Sequence, residues 1–356
     1  MWEMLAGTPW EAAEEGVEEC LLLRFQRRAM ATIFEVALPA GHSPAPWEAA
    51  EAALDAIDSL EAQLTVYRED SEVSRINATA ATEAIEVESR LFDLLVRCVQ
   101  WGLASGGAFD IACGALIKAW GFYRRMGRVP SAEERIHAMQ CSGLRHLVLD
   151  PERRLIRFRR QGLELNLGSV GKGYALDQAG ECLRRDWGIT QALLHGGGSS
   201  ILALGTSPAC ERGWPIRLRH PHDPHCHLGT VYLRDAALGV SATTFQYFEY
   251  RGQRLGHVLD PRCGWPARGV ACATAIAPTA AQADALSTAA FVLGPAGAER
   301  LTRLYPEVTL VVLPENISSQ SPAQPLLFQG SQRSASEYVP SLSSPGAESG
   351  LGTGLP

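Results

Sequence analysis

Apolar and polar positions alternate from Thr32 to Leu38, the two-residue period of a half-buried strand. The period then lengthens. Pro46 to Leu64 places apolar residues at helical spacing behind a proline at its start, which predicts a helix. Ser89 to Ala104 predicts a second, more buried one. Leu144–Leu149 and Leu155–Arg159 flank Asp150-Pro151-Glu152-Arg153-Arg154, which reads as strand, turn and strand. Leu163 to Leu167 predicts a strand running into Gly168-Ser169-Val170-Gly171-Lys172-Gly173, followed by a helix from Tyr174 to Trp187. Short strands are expected between Ala192 and Val240, then one carrying His257 and one at Ala271–Ala277. Helices near Ala281–Val292 and Pro295–Leu304 lead to a last strand at Val308–Leu313.

Hairpin-like pairs mixed with helices, without a strict β-α-β rhythm, predict an α+β fold with largely antiparallel sheets and packed helices. No internal repeat is visible. Residues 1–24 read as an N-terminal extension and 25–314 as the folded domain. From roughly Glu315 onward Ser, Pro, Gly and Gln dominate with few apolar anchors, so 315–356 is expected to be a disordered tail.

At 356 residues, with 46% hydrophobic and 20% charged content, the chain can bury a sizeable core. A net charge of −7 and a pI near 5.8 argue against nucleic acid as a partner, since phosphate backbones call for basic surface. The nine cysteines are scattered without a Cys-x-x-Cys pair, which fits reduced thiols in the cytosol better than a disulfide framework. Met1 to Cys20 carries Glu3, Glu11, Glu14, Glu15, Glu18 and Glu19 and no basic residue, the opposite of a secretory signal. Cys20-Leu21-Leu22-Leu23 is too short to span a bilayer. The expectation is a cytoplasmic protein with no membrane partner.

The richest chemistry lies in His257-Val258-Leu259-Asp260-Pro261-Arg262-Cys263-Gly264 and in Asp284-Ala285-Leu286-Ser287-Thr288. The first sets an imidazole and a carboxylate on a short strand that breaks at Pro261 and turns at Gly264. The second spaces a carboxylate and a hydroxyl four residues apart, on one face of a helix. Two hard oxygen donors suit Mg²⁺ better than zinc. A histidine base beside such a site is equipment for attacking a phosphate ester or diphosphate. The plainer alternative is that Asp284 caps or decorates a helix start while Thr288 faces the core.

Lys172, between two glycines at a helix start, opposes the helix dipole and so points to a bound phosphate or carboxylate; otherwise it is a solvated side chain. Gly168-x-x-Gly171-x-Gly173 matches neither the dinucleotide nor the Walker spacing, yet its amides could face an anion. His195-Gly196-Gly197-Gly198-Ser199-Ser200 is either a flexible turn or a place of close backbone approach. His220-Pro221-His222-Asp223-Pro224-His225-Cys226-His227 has zinc-like spacing, but its prolines predict a surface loop between Ile216–Leu218 and Thr230–Leu233.

Taken together, these segments resemble the ApbE-type FAD:protein FMN transferases from about Met30 to Leu313, with the motifs in the family's order. Met30-Ala31-Thr32 stands for Met-Gly-Thr. Leu64-Thr65-Val66-Tyr67, Ser71-Glu72 and Asn77 stand for Ser-x-Tyr…Ser-Glu-Leu…Asn. Gly106-Gly107-Ala108-Phe109-Asp110 with Gly114 and Trp120-Gly121-Phe122 matches Gly-x-Phe-Asp…Leu-Trp-Gly-Phe. Leu165-Asn166-Leu167-Gly168-Ser169-Val170-Gly171-Lys172-Gly173-Tyr174-Ala175 with Asp177 matches the strand–turn–helix signature, His257–Pro266 the His-Ile-Ile-Asp-Pro-x-Thr-Gly-x-Pro run, and Ala283–Thr288 the Ala-Asp-Ala-x-x-Thr helix.

The resemblance implies a flavin transferase fold related to the T-fold, and transfer of FMN from FAD to a threonine of an acceptor protein with release of AMP. It implies that Met30, Tyr67, Ala108, Phe109, Asp110, Asn166 and Lys172 line the FAD site. It implies Mg²⁺ bound by Asp284 and Thr288 with backbone oxygen from Ser169, and His257 as proton acceptor. The sequence departs from the pattern at Thr243-Thr244-Phe245, where the family has Ser-Thr-Ser-Gly or a close variant, and at Ala112, Cys263 and Gly197-Gly198-Ser199. An FAD diphosphatase and a flavin-binding protein without transfer are the alternatives.

Overall fold

The computed structural model describes residues 21–124, 126–223, 225–242, 247–315, 324–332 and 335–341. Its frame is an eight-stranded sheet whose strands lie side by side in chain order and pair antiparallel throughout. They are Leu22–Ala29, Thr32–Pro39, Ala192–Gly196, Ser200–Leu204, Ala236–Ala242, Val270–Ala277, Thr309–Pro314 and Leu326–Gln329. Long insertions between neighbours carry the helices: α1 (Pro46–Leu64), α2 (Glu72–Thr79), α3 (Ser89–Ala104), α4 (Gly114–Ala119), α5 (Ala132–Gln140), α6 (Gly171–Trp187) and α7 (Ala280–Leu304).

The strand period sorts the side chains onto two faces. Phe34, Val36, Leu194, Leu202 and Leu204 enter the large core under α1, α3, α6 and α7. Their neighbours Ala37, Leu193, Ile201 and Ala203 enter a second core. That second core is closed by a three-stranded sheet of Trp214–Arg219, His227–Leu233 and Glu337–Pro340. Because both faces are covered, Val270–Ala277 is buried at every position and is apolar except at Thr274. A third cluster, Leu116, Trp120, Phe122, Leu255 and Leu259 with Phe248 and Trp265, supports the segment around His257.

Helices expected at Pro46–Leu64 and Ser89–Ala104 form at those residues. The hairpin forms as Leu147–Asp150 with Leu155–Phe158. The two helices expected after Ala281 abut in α7, kinked at Gly294 (φ 70, ψ −168) ahead of Pro295. Of the His220–His227 run, His220–Asp223 and His225–Cys226 lie between two paired strands, as expected of a loop, and His227 opens the second strand. No helix among the described residues is long and apolar enough to cross a membrane.

Four expectations are corrected. Leu163–Leu167 buries Leu163, Leu165 and Leu167 but joins no sheet, because its backbone is taken by other partners. The Leu165 amide donates to Asn77 Oδ1 at 2.7 Å, its carbonyl accepts from Asn77 Nδ2 at 3.0 Å, and the Asn166 amide donates to Ile111 O at 2.8 Å. Only Leu259–Asp260 of the His257 segment is paired, with Trp265–Pro266. The N-terminal extension does not reach residue 24, since the edge strand begins at Leu22; its Arg24, Gln26, Arg27 and Arg28 hid the strand pattern. The tail is not wholly disordered: Leu326–Gln329 extends the main sheet and Glu337–Pro340 the small one. Tyr338 anchors it, buried and donating from its hydroxyl to Leu228 O at 2.8 Å.

Candidate active site

The N-terminus of α7 is fastened before it presents any chemistry. Thr279 caps it, its Oγ1 accepting from the Gln282 amide at 3.2 Å. Asp177, from α6, accepts from the Ala280 and Ala281 amides at 2.7 and 2.9 Å. These are donors that a helix start cannot satisfy within itself. Burial pushes the Asp177 carboxyl up to about 6, against the pull of those amides.

Two glycines let the helix approach. A Cβ on Gly173 would stand 2.2 Å from Ala280 O, and one on Gly239 would stand 2.5 Å from the Ala283 carbonyl carbon. The helix is therefore pressed onto both the start of α6 and the strand Ala236–Ala242. This close packing buries Asp284. Its Oδ2 accepts from the Gly173 amide at 2.8 Å, and Ser200 Oγ donates at 2.8 Å to Oδ1 and 3.0 Å to Oδ2. Burial raises the carboxyl to about 7, opposed by the Lys172 charge and by the bonds from Ser200 and Gly173.

Asp284 is thus not the helix cap, a place that Thr279 and Asp177 fill. Thr288 Oγ1 donates to Asp284 O at 3.0 Å and lies 3.2 Å from Ser241 Oγ, which is 3.0 Å from Ser287 Oγ. Ser169 precedes Val170, the N-cap of α6, so its carbonyl lies outside the helical ladder. Lys172 Nζ donates to Ser199 Oγ, at the end of the Gly197-Gly198 bend. Gly197 and Gly198 take φ +63 and +71, and a Cβ on Gly197 would lie 2.3 Å from Thr32 Oγ1. The glycine run is a fixed turn that needs its glycines.

The other expected residues stand around this centre in different ways. Met30 and Ala31 form the two-residue turn of the first hairpin with φ +48 and +60, and Met30 packs partly into the large core. Tyr67 is exposed and tilted onto Tyr123, ring centres 4.7 Å apart. Asn166 Oδ1 accepts from the Gly168 amide at 2.9 Å, shaping the turn ahead of Ser169. Ala108 and Phe109 are core residues, with Phe109 edge-on to Trp101, so any ligand contact there must come from backbone. The Asp110 carboxylate ties the Ala112 amide at 2.7 Å to the Leu144 amide at 3.1 Å, and burial raises it to about 6.

His257 is half-buried between the hairpin ending at Gly256 and the turn that follows Asp260. That turn is rigid. Asp260 accepts from the Arg262 amide and guanidinium, and Trp120 Nε1 donates to Gly264 O at 3.0 Å. Thr243, Thr244 and Phe245 lie outside the described residues.

The structure therefore sets Asp284 and Thr288 of α7 against the start of α6, which carries Lys172 and follows Ser169. Sequence reasoning passed over Ser241 and gave no role to Ser200 or Asp177. Asp177 sits five residues after Lys172, and Ser200 ends the glycine run, but neither spacing reveals its partner. No group of three or more His, Cys, Asp or Glu residues able to hold a metal ion occurs among the described residues. A single buried carboxylate beside hydroxyl and carbonyl oxygen suits Mg²⁺, which commonly takes one or two carboxylates plus substrate phosphate and water.

Comparison with known proteins finds relatives over most of the chain. The sequence model described as the ApbE family matches residues 30–312. The chain is 30% identical over 288 residues to the FAD:protein FMN transferase of Escherichia coli K12, covering 78% of this chain and 80% of that protein. It is 31% identical over 293 residues to the enzyme of the same name from Treponema pallidum, covering 77% and 80%. The crystal structure of the ApbE protein from Thermotoga maritima superposes with TM-score 0.74 at 29% identity, covering 83% of this chain and 95% of that one. The apo flavinyl transferase ApbE of Pseudomonas stutzeri gives TM-score 0.74 at 28% identity, covering 88% and 96%.

Proposed function

The chain belongs to the ApbE family, and from that premise we propose that it transfers FMN from FAD to a threonine of an acceptor protein, using Mg²⁺ and releasing AMP. FAD is the flavin donor and a protein the acceptor, in keeping with the names its relatives carry. The observation that supports the metal-assisted reading best is the buried Asp284 carboxylate, held by Ser200 and Gly173 and within reach of the Lys172 charge.

Asp284, Thr288 and the backbone oxygen of Ser169 would hold the ion. When bound, Mg²⁺ supplies charge neutralisation for the diphosphate and for the departing AMP. Lys172, at the N-terminus of α6, places a positive charge where anionic oxygen can sit. Met30, Tyr67, Asn166 and the backbone of Ala108, Phe109 and Asp110 would line the flavin donor.

In the transfer step the acceptor hydroxyl oxygen attacks the phosphorus of the FMN half. The bond from that phosphorus to the bridging oxygen breaks, and AMP leaves with the electron pair. His257 accepts the hydroxyl proton, which is needed because a threonine hydroxyl is a poor nucleophile at neutral pH. The rigid turn from Asp260 to Gly264 fixes the direction from which the imidazole approaches. A cytoplasmic setting belongs to the same reading, supported by eight described cysteines that are all unpaired.

The test is the intact mass of a threonine-bearing acceptor peptide after incubation with FAD and Mg²⁺. A gain equal to one FMN esterified to the peptide is the expected result. FMN and AMP released with the peptide unchanged would mean that water is the acceptor. Tight FAD binding without turnover would leave a flavin-binding protein.

A further inference from the structure

A lysine beside a buried carboxylate should pair with it, since attraction between opposite charges is strong where water is excluded. Lys172 does not. Its charge is felt at Asp284, yet its ammonium donates to Ser199 Oγ, and no ion pair joins it to any acidic residue among those described. An ammonium has three donors and no acceptor, so a fixed hydroxyl oxygen is a competent alternative partner.

Ser199 is fixed on both sides. It is buried, and its carbonyl accepts from the Val240 amide at 2.7 Å. The bend leading to it is tied by the Gly197 amide to Ile33 O at 2.9 Å. The next residue, Ser200, donates to both Asp284 oxygens. Two consecutive serines at one rigid turn thus hold the two opposite charges, one each.

We propose that Ser199 is a positioning residue that diverts Lys172 from Asp284, keeping the carboxylate open to a divalent cation and the ammonium open to an anionic ligand. Without it the lysine swings onto Asp284 and competes with the cation. This rests on the reading that Asp284 holds a divalent ion. Ser199 itself touches neither ion nor flavin; it acts through Lys172.

The experiment measures Mn²⁺ binding by electron paramagnetic resonance and Mg²⁺ by competition, on the full chain with and without FAD. Ser199→Ala should bind the cation about ten- to a hundredfold more weakly, the scale of the charge-assisted hydrogen bond that the competing lysine then makes to Asp284. Ser199→Thr, which keeps the hydroxyl, should bind as the wild type does. Adding Lys172→Gln to Ser199→Ala should restore cation affinity, because the competitor is gone. Thermal unfolding of each variant establishes that it is folded. Unchanged affinity in Ser199→Ala overturns the proposal, as does a loss that Lys172→Gln fails to restore. A wild-type protein that binds neither cation, with or without FAD, overturns the metal reading itself and this proposal with it.

Discussion

The two glycines flanking Lys172 make opposite demands, and substituting each by alanine tests how the site is held. At Gly173 an added Cβ would stand 2.2 Å from Ala280 O, 2.4 Å from its carbon and 2.7 Å from the Ala281 amide nitrogen. All three are backbone atoms, which cannot rotate aside, so α6 and α7 must separate. Overpacking of this kind costs about 1–3 kcal/mol. Separation also withdraws the Gly173 amide from Asp284, a bond to a charged group worth about 1.5–3 kcal/mol. Gly173→Ala should therefore lose roughly 2.5–6 kcal/mol in all, a drop of about 4–10 °C in melting temperature for a domain of this size. At Gly171 the nearest atom to an added Cβ is Leu64 Cδ1 at 3.9 Å, ordinary contact. Gly171→Ala should stay within about 0.5 kcal/mol of the parent, or gain slightly from helix propensity. Thermal unfolding followed by circular dichroism, with cation-dependent FAD turnover on the same samples, reads both. Equal stability of the two variants would refute the argument that close helix approach positions Asp284.

Asp284→Ala should abolish Mg²⁺-dependent FAD turnover while the protein stays folded by circular dichroism; unchanged turnover and metal dependence would remove it from the site. His257→Ala should slow transfer by about two to four orders of magnitude and spare FAD affinity; lost FAD affinity with normal transfer at saturation would make it a binding residue. Asp177, raised by burial to about 6 from an ordinary 3.8, contributes stability that is complete below pH about 4 and lost as pH rises through about 6. The stability of the wild type relative to Asp177→Asn should accordingly fall across that window by on the order of 3 kcal/mol, read by urea unfolding at successive pH values; a flat difference would show that Asp177 titrates normally.

The α1 and α3 boundaries, the hairpin around Asp150–Arg154 and the kinked pair after Ala281 were legible in the chain, because their signals are local. A proline at a helix start, a run of turn residues or a Gly-Pro break acts on its own backbone and needs no partner. The motif residues were legible as candidates for the same reason: four-residue spacing on a helix gives Asp284 and Thr288 a common face, and Lys172 between two glycines opposes the dipole of its own helix.

What the chain could not reveal were partners. Leu163–Leu167 alternates as a strand does, but Asn77 and Ile111 take its backbone, and only the folded arrangement decides that. Leu326–Gln329 and Glu337–Pro340 are four-residue islands in a Ser-, Pro- and Gly-rich stretch, too short to predict order, and become strands because sheet edges offer them unpaired amides and carbonyls. Phe109 carries a motif position, yet its ring belongs to the core. Ser199 and Ser200 look alike in sequence, and tertiary structure gives one to a lysine and the other to a carboxylate. Periodicity records which face a residue turns inward. What it meets there is set by segments dozens of residues away, and burial at that meeting gives Asp284 its raised carboxyl.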